Sequence, residues 1–270
     1  MSADRGIWMP RLFLSVDMVG STEFKARFTG QGAEGWLATF KAFFTNFPLM
    51  VAGQIGFEFL DDDHTPDIGV WKVMGDEVVF TVEPKTPEEL TSILLALLRT
   101  MRMYEEKHFR ELPLRLKGTA WLADVNGSNI EIEIPELSSG QGAHLDFIGP
   151  DIDLGFRIAK FARPATIVIS LDVLEVILRA RNGGTTALYL AGREPLKGVL
   201  FGYPYPVVWL LRAEDGFDFL PWEAAADPWM AAAMAATTPT GVAELKRVIE
   251  DMRLYLRKMH GRDRPPVKLD

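Results

Sequence analysis

Two aspartates that each follow a short apolar run constrain the fold of this chain more than any other feature. Asp17 ends a near-continuous apolar run over residues 12–16, and Asp76 follows Gly75 between two further apolar stretches. Runs of this kind are typical of buried strands, and a glycine in a two-residue connection predicts a tight hairpin. We therefore predict that Asp17 and Asp76 lie at the ends of neighbouring strands of one sheet, where they serve either as ligands or as ordinary turn residues.

The remaining elements follow a mixed order of strands and helices. Thr86 and Glu89 form a capping box at the start of the clearest helix, and Asn126-Gly127 is the strongest hairpin signal in the chain. Two prolines within residues 201–211 indicate an edge strand, because proline cannot donate to the ladder. The order strand, helix, strand, strand, helix, strand, strand, helix predicts an α+β or α/β sandwich with a mixed sheet.

Two further segments have a clear helical pattern. Aromatic side chains recur at helical spacing between residues 21 and 47, which is typical of a buried helix face. Apolar residues recur at alternating spacings of three and four between residues 242 and 259, which predicts an amphipathic helix at about residues 241–260. We expect that helix to dock on its own domain, and pairing with a second chain is the alternative.

The composition fits a self-sufficient globular protein and argues against several partners. The 270 residues are 48% hydrophobic and 24% charged, with a net charge of −8 and no cysteine, and the pI is near 5.2. Nucleic acid and anionic membrane surfaces require a basic footprint that this chain lacks, so we expect neither as a partner. The first residues lack the apolar core of a signal peptide and no apolar run has the length of a membrane span, so we expect a cytoplasmic protein.

Asp17 and Asp76 are the candidates for a metal site. Paired hard oxygen ligands at strand ends suit two Mg²⁺ or Mn²⁺ ions. Gly20, Ser21 and Thr22 follow the first aspartate and lead into a helix, so their backbone amides are candidates for holding phosphate oxygens. If the ligand is a polyanionic nucleotide, a chain this acidic has to bind it through local cations, including metal ions.

Four further side chains are candidates for contacts with an anionic ligand. Lys72 lies four residues before Asp76 on a strand, and the alternative is a solvated strand lysine. Asp146 precedes a helix on which Asp153 and Arg157 are separated by four residues, so those two project from one side. They form either an exposed ion pair or a group in which Arg157 reaches a triphosphate.

Four motifs resemble those of class III nucleotidyl cyclases. Residues 13–22 resemble the first-strand motif of that family, and residues 72–76 look like its hairpin with a base-contacting lysine and a second metal aspartate. Residues 146–157 are similar to its third motif, and the leucine-lysine-glycine of residues 196–198 looks like the lead into its last strand. The motifs occur in the same order as in that family. Together they are therefore more specific evidence for the resemblance than any single motif.

The resemblance covers roughly residues 8–213, which would be a nucleotidyl cyclase catalytic domain, and leaves residues 214–270 as a C-terminal extension. It implies an α+β sandwich of the ferredoxin type, in which helices flank a mixed β-sheet. It also implies a head-to-tail homodimer with two composite sites and a nucleoside triphosphate as substrate. The ribose 3′-oxygen would attack the α-phosphorus, release pyrophosphate and form a 3′,5′-cyclic nucleotide.

The resemblance also assigns a role to each candidate residue. In one subunit Asp17, Asp76 and the backbone carbonyl of Met18 would hold two divalent ions, Mn²⁺ or Mg²⁺. The other subunit would supply two substrate-binding residues and two catalytic residues, namely Lys72, Asp146, Asp153 and Arg157.

One departure from the family pattern concerns the substrate. Asp153 stands where the family has asparagine, and an ionised carboxylate only accepts hydrogen bonds whereas an amide also donates. The usual purine substrate is therefore in question. Residues 15–25 look most like the pyrimidine cyclases of bacterial Pycsar anti-phage systems, which make cyclic UMP or cyclic CMP to activate an effector. We expect a uridylate cyclase, with a cytidylate cyclase as the next choice, and an effector that responds to the product without necessarily touching this chain.

Three other interpretations stay open. An ordinary adenylate cyclase would use the same residues on ATP. Residues 75–77 are also similar to part of the hairpin of diguanylate cyclases and polymerase palms, although Val78 and the group of Asp153 and Arg157 argue against that relationship. A cyclase-shaped module that senses a nucleotide without turnover is the non-enzymatic alternative, and the presence of both aspartates and the arginine counts against it.

Overall fold

The computed structural model describes residues 10–28, 30, 32–125, 127–135, 145–236 and 238–269. The strands in these ranges are β1 (Pro10–Val19), β2 (Gly69–Met74), β3 (Glu77–Val82), β4 (Arg115–Asp124), β5 (Ile130–Glu133), β6 (Leu145–Ile148), β7 (Ile167–Ile169), β8 (Thr186–Pro195) and β9 (Pro204–Arg212). The α-helices are α1 (Ser21–Ala26), α2 (Glu34–Glu58), α3 (Pro87–Tyr104), α4 (Pro150–Ile158), α5 (Leu171–Ile177), α6 (Pro221–Ala226), α7 (Pro228–Ala235) and α8 (Val242–His260). No helix in the described ranges is both long and apolar enough to cross a membrane.

Seven of these strands form one mixed sheet in the order β2-β3-β1-β4-β7-β9-β8. Strands β4 and β7 are parallel, and the other neighbouring strands are antiparallel. Strands β5 and β6 form a separate antiparallel pair. The predicted α+β sandwich with a mixed sheet flanked by helices is therefore confirmed.

The alternation of side chains along β1 gives the sheet two different faces. Leu12, Leu14 and Val16 are buried in the main core together with residues of α2, α3 and α5. Phe13 and Asp17 point the other way, because successive residues of a strand alternate between faces. The face that carries Phe13 and Asp17 is called the second face below.

An aromatic cluster of Phe13, Trp71, Trp121 and Phe147 forms a smaller core on the second face. Phe13 stacks on Trp121 at 5.5 Å between ring centroids, and it meets Trp71 and Phe147 edge to face at 5.1 and 5.2 Å. Helix α4 packs on this cluster so closely that a Cβ at Gly155 would collide with the Trp121 ring. The cluster thus fixes α4 and β6 on the second face.

The Gly75-Asp76 hairpin forms as predicted. Strand β2 ends at Met74 and β3 begins at Glu77. Gly75 has a φ of 64°, which a residue with a Cβ rarely adopts. Because β3 is the neighbour of β1, the turn that carries Asp76 lies beside β1.

The hairpin expected at Asn126-Gly127 is wrong in its pairing. Asn126 lies outside the described residues, and β5 pairs with β6 rather than with β4. Strand β1 occupies one edge of β4 along its whole length, and β7 pairs with residues 118–120 at the other edge. Asn129 donates from its side chain to the carbonyl of Asp124 at 3.0 Å, which ties the start of β5 to the end of β4 without a ladder.

The edge strand expected within residues 201–211 is also wrong. Strand β9 lies between β7 and β8, and β8 is the strand at the edge of the sheet. Strand β7 pairs only with residues 208–210 of β9, so its ladder does not include Pro204 and Pro206. Pro204 and Pro206 pair with β8, opposite Pro195 and Arg193, so they are tolerated at an end of β9 that has a paired neighbour on one side only.

Helix α8 docks on its own chain, as expected. It buries one apolar stripe, which consists of Leu245, Val248, Ile249, Met252 and Leu256. Arg253 of this helix donates to both carboxylate oxygens of Glu175 on α5, at 2.9 and 2.7 Å. The predicted helix at about residues 241–260 is therefore α8, while the division of the chain near residue 213 stays a prediction.

Candidate functional site

Asp17 and Asp76 come together on the second face. In the paired strands, Asp17 lies directly opposite Glu77 of β3 and opposite Lys117 of β4. Asp76 lies in the adjoining turn, and the hydroxyl of Ser21 donates a hydrogen bond to its carboxylate. The prediction that Asp17 ends its strand is wrong, because β1 continues for two more residues and pairs with β4 throughout. Asp17 is therefore a strand residue, and Asp76 is a turn residue.

The acidic group of Asp17, Asp76 and Glu77 favours a cation. Burial raises the pKa of Asp17 above its ordinary value, Lys117 opposes that shift, and the charge of Asp76 adds to it. Burial also raises the pKa of Glu77, against a hydrogen bond from the hydroxyl of Ser15. Both shifts mean that the negative charges lack full compensation within the chain.

The start of α1 lies beside these carboxylates. Gly20 has a φ of 83°, and a Cβ there would lie 2.5 Å from the carbonyl oxygen of Pro113, so only glycine fits this position. Helix α1 then begins at Ser21, and the first amides of a helix have no intrahelical carbonyl to bind. Ser21 and Thr22 therefore present their amides near Asp76, while the side chain of Ser21 is committed to Asp76 itself.

Lys72 and Asp146 form an ion pair within one chain. Their Nζ and Oδ1 atoms are 2.5 Å apart, and both side chains are mostly buried. Burial raises the pKa of Asp146, but the bonds from Lys72 and from the amide of Phe147 outweigh it and hold the pKa below its usual value. The Lys72 ammonium also lies 3.9 Å from the ring centroid of Trp71. The structure thus joins two residues that are 74 positions apart and that the sequence assigned to the same role.

Asp153 and Arg157 lie on α4, which packs on the second face. Asp153 is exposed and Arg157 is half-buried. The alternative of an ion pair between them is not realised, since no carboxylate in the described ranges lies within 4.0 Å of Arg157. The guanidinium of Arg157 lies instead near the loop between β8 and β9, where a Cβ at Gly198 would be 3.9 Å from its Nη2. Arg157 is therefore available for an anionic ligand.

The two parts of the candidate site lie at different positions along the same sheet. Lys72 pairs with Val79, which lies opposite Ser15, so Lys72 is level with a position two residues, or roughly 7 Å, before Asp17 along the sheet. The acidic group is at the hairpin end, whereas the pair of Lys72 and Asp146 adjoins the aromatic cluster. One chain thus carries two separated half-sites.

Sequence reasoning missed Lys117 and Glu77. The Nζ of Lys117 lies 2.9 Å from Oδ2 of Asp17, so a cation of the chain contacts the acidic group. A signal existed, because each of the two residues begins or flanks an apolar strand, but their meeting with Asp17 depends on strand order and register. Neither property can be obtained from the sequence of β3 or β4 alone.

The donor set of this region fits a hard divalent ion. Among the described residues, no three acidic or histidine side chains are grouped as a metal cluster. The two carboxylates of Asp17 and Asp76 are nevertheless suited to Mg²⁺ or Mn²⁺, since such ions are often bound through one or two carboxylates together with water and substrate phosphate oxygens.

Comparison with known sequences finds a curated relative of part of the chain. No protein-family model matches the chain. A curated sequence described as a CinA-like protein, from Salinibacter ruber (strain DSM 13855 / M31), is 26% identical over 145 residues, which cover 50% of this chain and 32% of that protein. The chain spans about a third of the length of this curated relative.

Comparison with solved structures identifies the fold. The catalytic core of a rhodopsin-guanylyl cyclase with converted specificity, in complex with ATPαS, has a TM-score of 0.54 at 12% identity, and the match covers 76% of this chain and 96% of that chain. The adenylyl cyclase CyaB from P. aeruginosa has a TM-score of 0.52 at 13% identity, with 79% and 98% covered. The guanylate cyclase domain of RhGC from Catenaria anguillulae, in complex with GTP, has a TM-score of 0.52 at 11% identity, with 76% and 97% covered. At such identities the likeness is one of fold, and the chain has the fold of class III cyclase catalytic domains.

Proposed function

We propose that the chain is a nucleotidyl cyclase, which converts a nucleoside triphosphate to its 3′,5′-cyclic monophosphate and pyrophosphate. The observation that carries this proposal is the convergence of Asp17 and Asp76 on the second face of a cyclase-type sheet. The ion pair of Lys72 and Asp146, and the available guanidinium of Arg157, lie on elements that pack on the same face. Structures with this fold are described as adenylyl and guanylyl cyclases, which supports the same class of reaction.

Asp17, Asp76 and the Met18 carbonyl would hold two divalent ions, Mn²⁺ or Mg²⁺, in this proposal. Bound ions of this kind supply charge that lowers the pKa of the attacking 3′-hydroxyl and neutralises the leaving pyrophosphate. Gly20 lets the chain turn beside the carbonyl of Pro113, and the amides of Gly20, Ser21 and Thr22 would donate to the triphosphate.

Arg157 would donate to the triphosphate, where negative charge increases as the α-phosphorus changes partner. Its position on α4 is fixed by the close contact of Gly155 with Trp121. Asp153, one turn earlier and exposed, would accept a hydrogen bond from a ribose hydroxyl. Both residues therefore act on the part of the nucleotide that reacts.

We propose that the site is completed in a head-to-tail homodimer, as the resemblance to class III cyclases implies. Asp17 and Asp76 of one subunit would face Lys72, Asp146 and Arg157 of the other across the second faces. Such an arrangement makes two equal composite sites, because a two-fold axis exchanges the same pair of surfaces.

We propose UTP as the substrate, with CTP and ATP as the alternatives. Lys72 can donate to a carbonyl oxygen of uracil, and Asp146 can accept from its ring N–H. The same pair can also meet the ring nitrogen and amino group of cytosine or adenine, so the choice of UTP rests on the likeness of residues 15–25 to pyrimidine cyclases. The carboxylate of Asp153 in place of the family asparagine also supports a substrate other than the usual purine.

A product assay tests the reaction and the base together. Purified protein would be incubated with Mn²⁺ and with ATP, GTP, CTP or UTP in separate reactions, and products resolved by mass spectrometry. We expect cyclic UMP as the main product, and none with the Asp76→Asn variant. A different cyclic nucleotide would contradict the choice of base, and no cyclic product from any of the four would favour a nucleotide sensor.

We also propose that the cyclic nucleotide is a second messenger in bacterial anti-phage defence, made in the cytoplasm and sensed by a separate effector. The likeness of residues 15–25 to the pyrimidine cyclases of such systems supports this role. Cells that express the chain should accumulate cyclic UMP after phage infection, and cells that express Asp76→Asn should not. Equal levels before and after infection would contradict a role in defence.

A further inference from the structure

Arg264, in the tail that follows α8, bridges two helices through their first turns. Its Nη2 lies 3.2 Å from Asp151 on α4, and its guanidinium also binds the carboxylate of Asp172 on α5. Asp172 is only 6% exposed. No other cation in the described ranges forms an ion pair with either aspartate. Arg264 therefore offsets the negative charges of Asp151 and Asp172, which would otherwise repel each other.

The backbone of the tail is held at further points. Arg253, already anchored on Glu175, donates from Nε to the carbonyl of Arg264 at 2.9 Å. Arg179 of the segment after α5 donates to the carbonyl of Val267 at 2.5 Å, and Val267 is itself buried. The guanidinium of Arg264 is thus presented by a fixed backbone rather than by a free end.

The end of α8 holds a strained loop, residues 196–203, which connects β8 to β9. Leu200 and Phe201 in this loop have φ values of 44° and 55°, in the left-handed region that residues with a Cβ seldom adopt. The hydroxyl of Tyr255 donates to the carbonyl of Phe201 at 3.3 Å, and the ring of His260 stacks on Phe201 at 3.9 Å between centroids. These contacts stabilise a conformation that the loop would not keep by itself.

The C-terminal segment, which comprises α8 and the tail after it, holds two elements, α4 and the loop of residues 196–203. Both elements lie next to the Arg157 side chain. Arg157 lies six residues after Asp151 on α4, and its Nη2 would be 3.9 Å from a Cβ at Gly198 of the loop. A cavity of about 590 Å³ lies between α4, the loop and the tail, and its lining includes Asp151, Gly198, Phe201 and Arg264. Because side chains do not fill this space, the contacts of the tail hold α4 and the loop relative to each other.

We propose that the C-terminal segment positions Arg157: Arg264 fixes α4 through Asp151, and the end of α8 fixes the neighbouring loop through Phe201. This inference rests on the proposed function, which places Arg157 at the triphosphate. Arg264 is a positioning residue, because it contacts α4 and α5 and no group of the proposed substrate. A displacement of a catalytic group by about 1 Å costs on the order of 100-fold in rate.

Arg264→Gln tests this link by kinetics. The variant leaves Asp151 and Asp172 without their shared cation, so α4 should move away from α5. We expect kcat to fall by about tenfold or more and the nucleotide KM to change by less than about threefold. Arg257→Gln is the matched control, because it removes an arginine near the same end of α8 whose pair with Asp263 is exposed. This control should leave kcat and KM unchanged.

Hydrogen exchange without nucleotide tests the same link independently of turnover. In Arg264→Gln we expect the amides of α4 and of residues 196–203 to exchange about tenfold faster, and those of β1 and β3 to keep their wild-type rates. Unchanged exchange in α4 would overturn the proposal. If the wild-type protein turns over no nucleotide, the proposed function fails, and the exchange rates still decide whether the tail holds α4.

Two further variants keep the test decisive where Arg264→Gln fails to fold. Arg264→Lys keeps the charge without the forked geometry of the guanidinium, so its loss of kcat should be intermediate. Arg264→Gln combined with Asp172→Asn removes one of the two facing charges and should recover part of the kcat. Wild-type kcat in the double variant together with wild-type exchange in its α4 would overturn the positioning role, because the bridge between α4 and α5 is then absent without effect.

Discussion

Lys117 and Asp17 face each other across the ladder between β1 and β4, with 2.9 Å between Nζ and Oδ2. Their side chains are only 26% and 28% exposed, so water screens this pair less than it screens a surface ion pair. Lys117 therefore supplies part of the positive charge that a divalent ion would bring to Asp17 and Asp76. If Asp17 binds a metal ion as proposed, Lys117 and the metal ion compete for the same carboxylate.

Lys117→Met should strengthen the binding of divalent ions. Methionine keeps much of the side-chain length, while the substitution removes a positive charge next to Asp17 and Asp76. We expect the Kd for Mn²⁺ to fall about tenfold, since a charge a few ångströms away is worth ~1 kcal/mol or more in such surroundings. Isothermal titration calorimetry without nucleotide measures this change directly.

The control for this variant is Lys246→Met, at an exposed position of α8, which should leave the Kd for Mn²⁺ unchanged. Without metal, Lys117→Met should also unfold at a lower temperature than wild type, because removal of one partner leaves a partly buried carboxylate unpaired. An Mn²⁺ affinity equal to that of wild type would show that Lys117 does not compete for Asp17.

Mixing two inactive variants should restore activity. Asp17→Asn removes a proposed metal ligand and Arg157→Ala removes the proposed triphosphate contact, so each homodimer should be inactive. A mixed dimer would hold one intact composite site, and random mixing should therefore restore about a quarter of wild-type activity. The product assay measures this after the two proteins have been allowed to exchange subunits.

The control for mixing uses two variants from the same half-site, Asp17→Asn and Asp76→Asn, which should not complement each other. Native mass spectrometry would establish that mixed dimers form in both mixtures. If mixed dimers of Asp17→Asn and Arg157→Ala form and stay inactive, the composite site is wrong even though each residue is needed.

Lys72→Met should weaken the binding of the base. It breaks the ion pair with Asp146 and leaves that carboxylate without its cation. We expect the KM for the preferred nucleotide to rise about tenfold or more, and the ratio of kcat/KM values between UTP and CTP to move toward one. Lys85→Met, at an exposed position after β3, is the control. A changed kcat with an unchanged KM and selectivity would contradict base recognition by Lys72.

Local chemistry made some elements predictable from the sequence. Gly75 and Asp76 form the predicted turn because a two-residue connection needs a positive φ. Thr86 caps α3 as predicted, accepting from the amide of Glu89 at 3.1 Å, because the capping geometry involves only four consecutive residues. In each case the interaction that decides the structure lies within a few positions of the chain.

Other features depend on which strands become neighbours. The turn signal at Asn126 and Gly127 predicted a hairpin, but β5 pairs with β6, which comes later in the chain, rather than with β4. Lys117 meets Asp17 through the register of two strands that are far apart in the chain. Only a resemblance to known motifs predicted that Lys72 and Asp146 act together. No interaction between residues close in sequence joins β2 to β6.

Glu105 gives the chain a pH-dependent stability that is separate from the candidate site. It lies in the π-helical turn after α3, its side chain is 18% exposed, and it accepts a hydrogen bond from the amide of Leu116. Burial raises its pKa to about 7 from an ordinary 4.5, although the Leu116 amide and Arg115 oppose the shift. Because the folded state holds this proton more tightly, the contribution of Glu105 is fully favourable below the unfolded pKa and is lost as the pH rises toward about 7.

Glu105→Gln should remove this loss, because glutamine resembles the protonated acid and keeps an oxygen for the Leu116 amide. We expect the variant to match wild type near pH 4.5 and to gain ~1–3 kcal/mol of unfolding free energy above pH 7. Chemical denaturation at several pH values measures this gain. Glu106→Gln is the control, since that side chain is 65% exposed and should give no pH-dependent gain. A difference between Glu105→Gln and wild type that stays constant from about pH 5 to about pH 8 would contradict a buried carboxyl that titrates near neutrality.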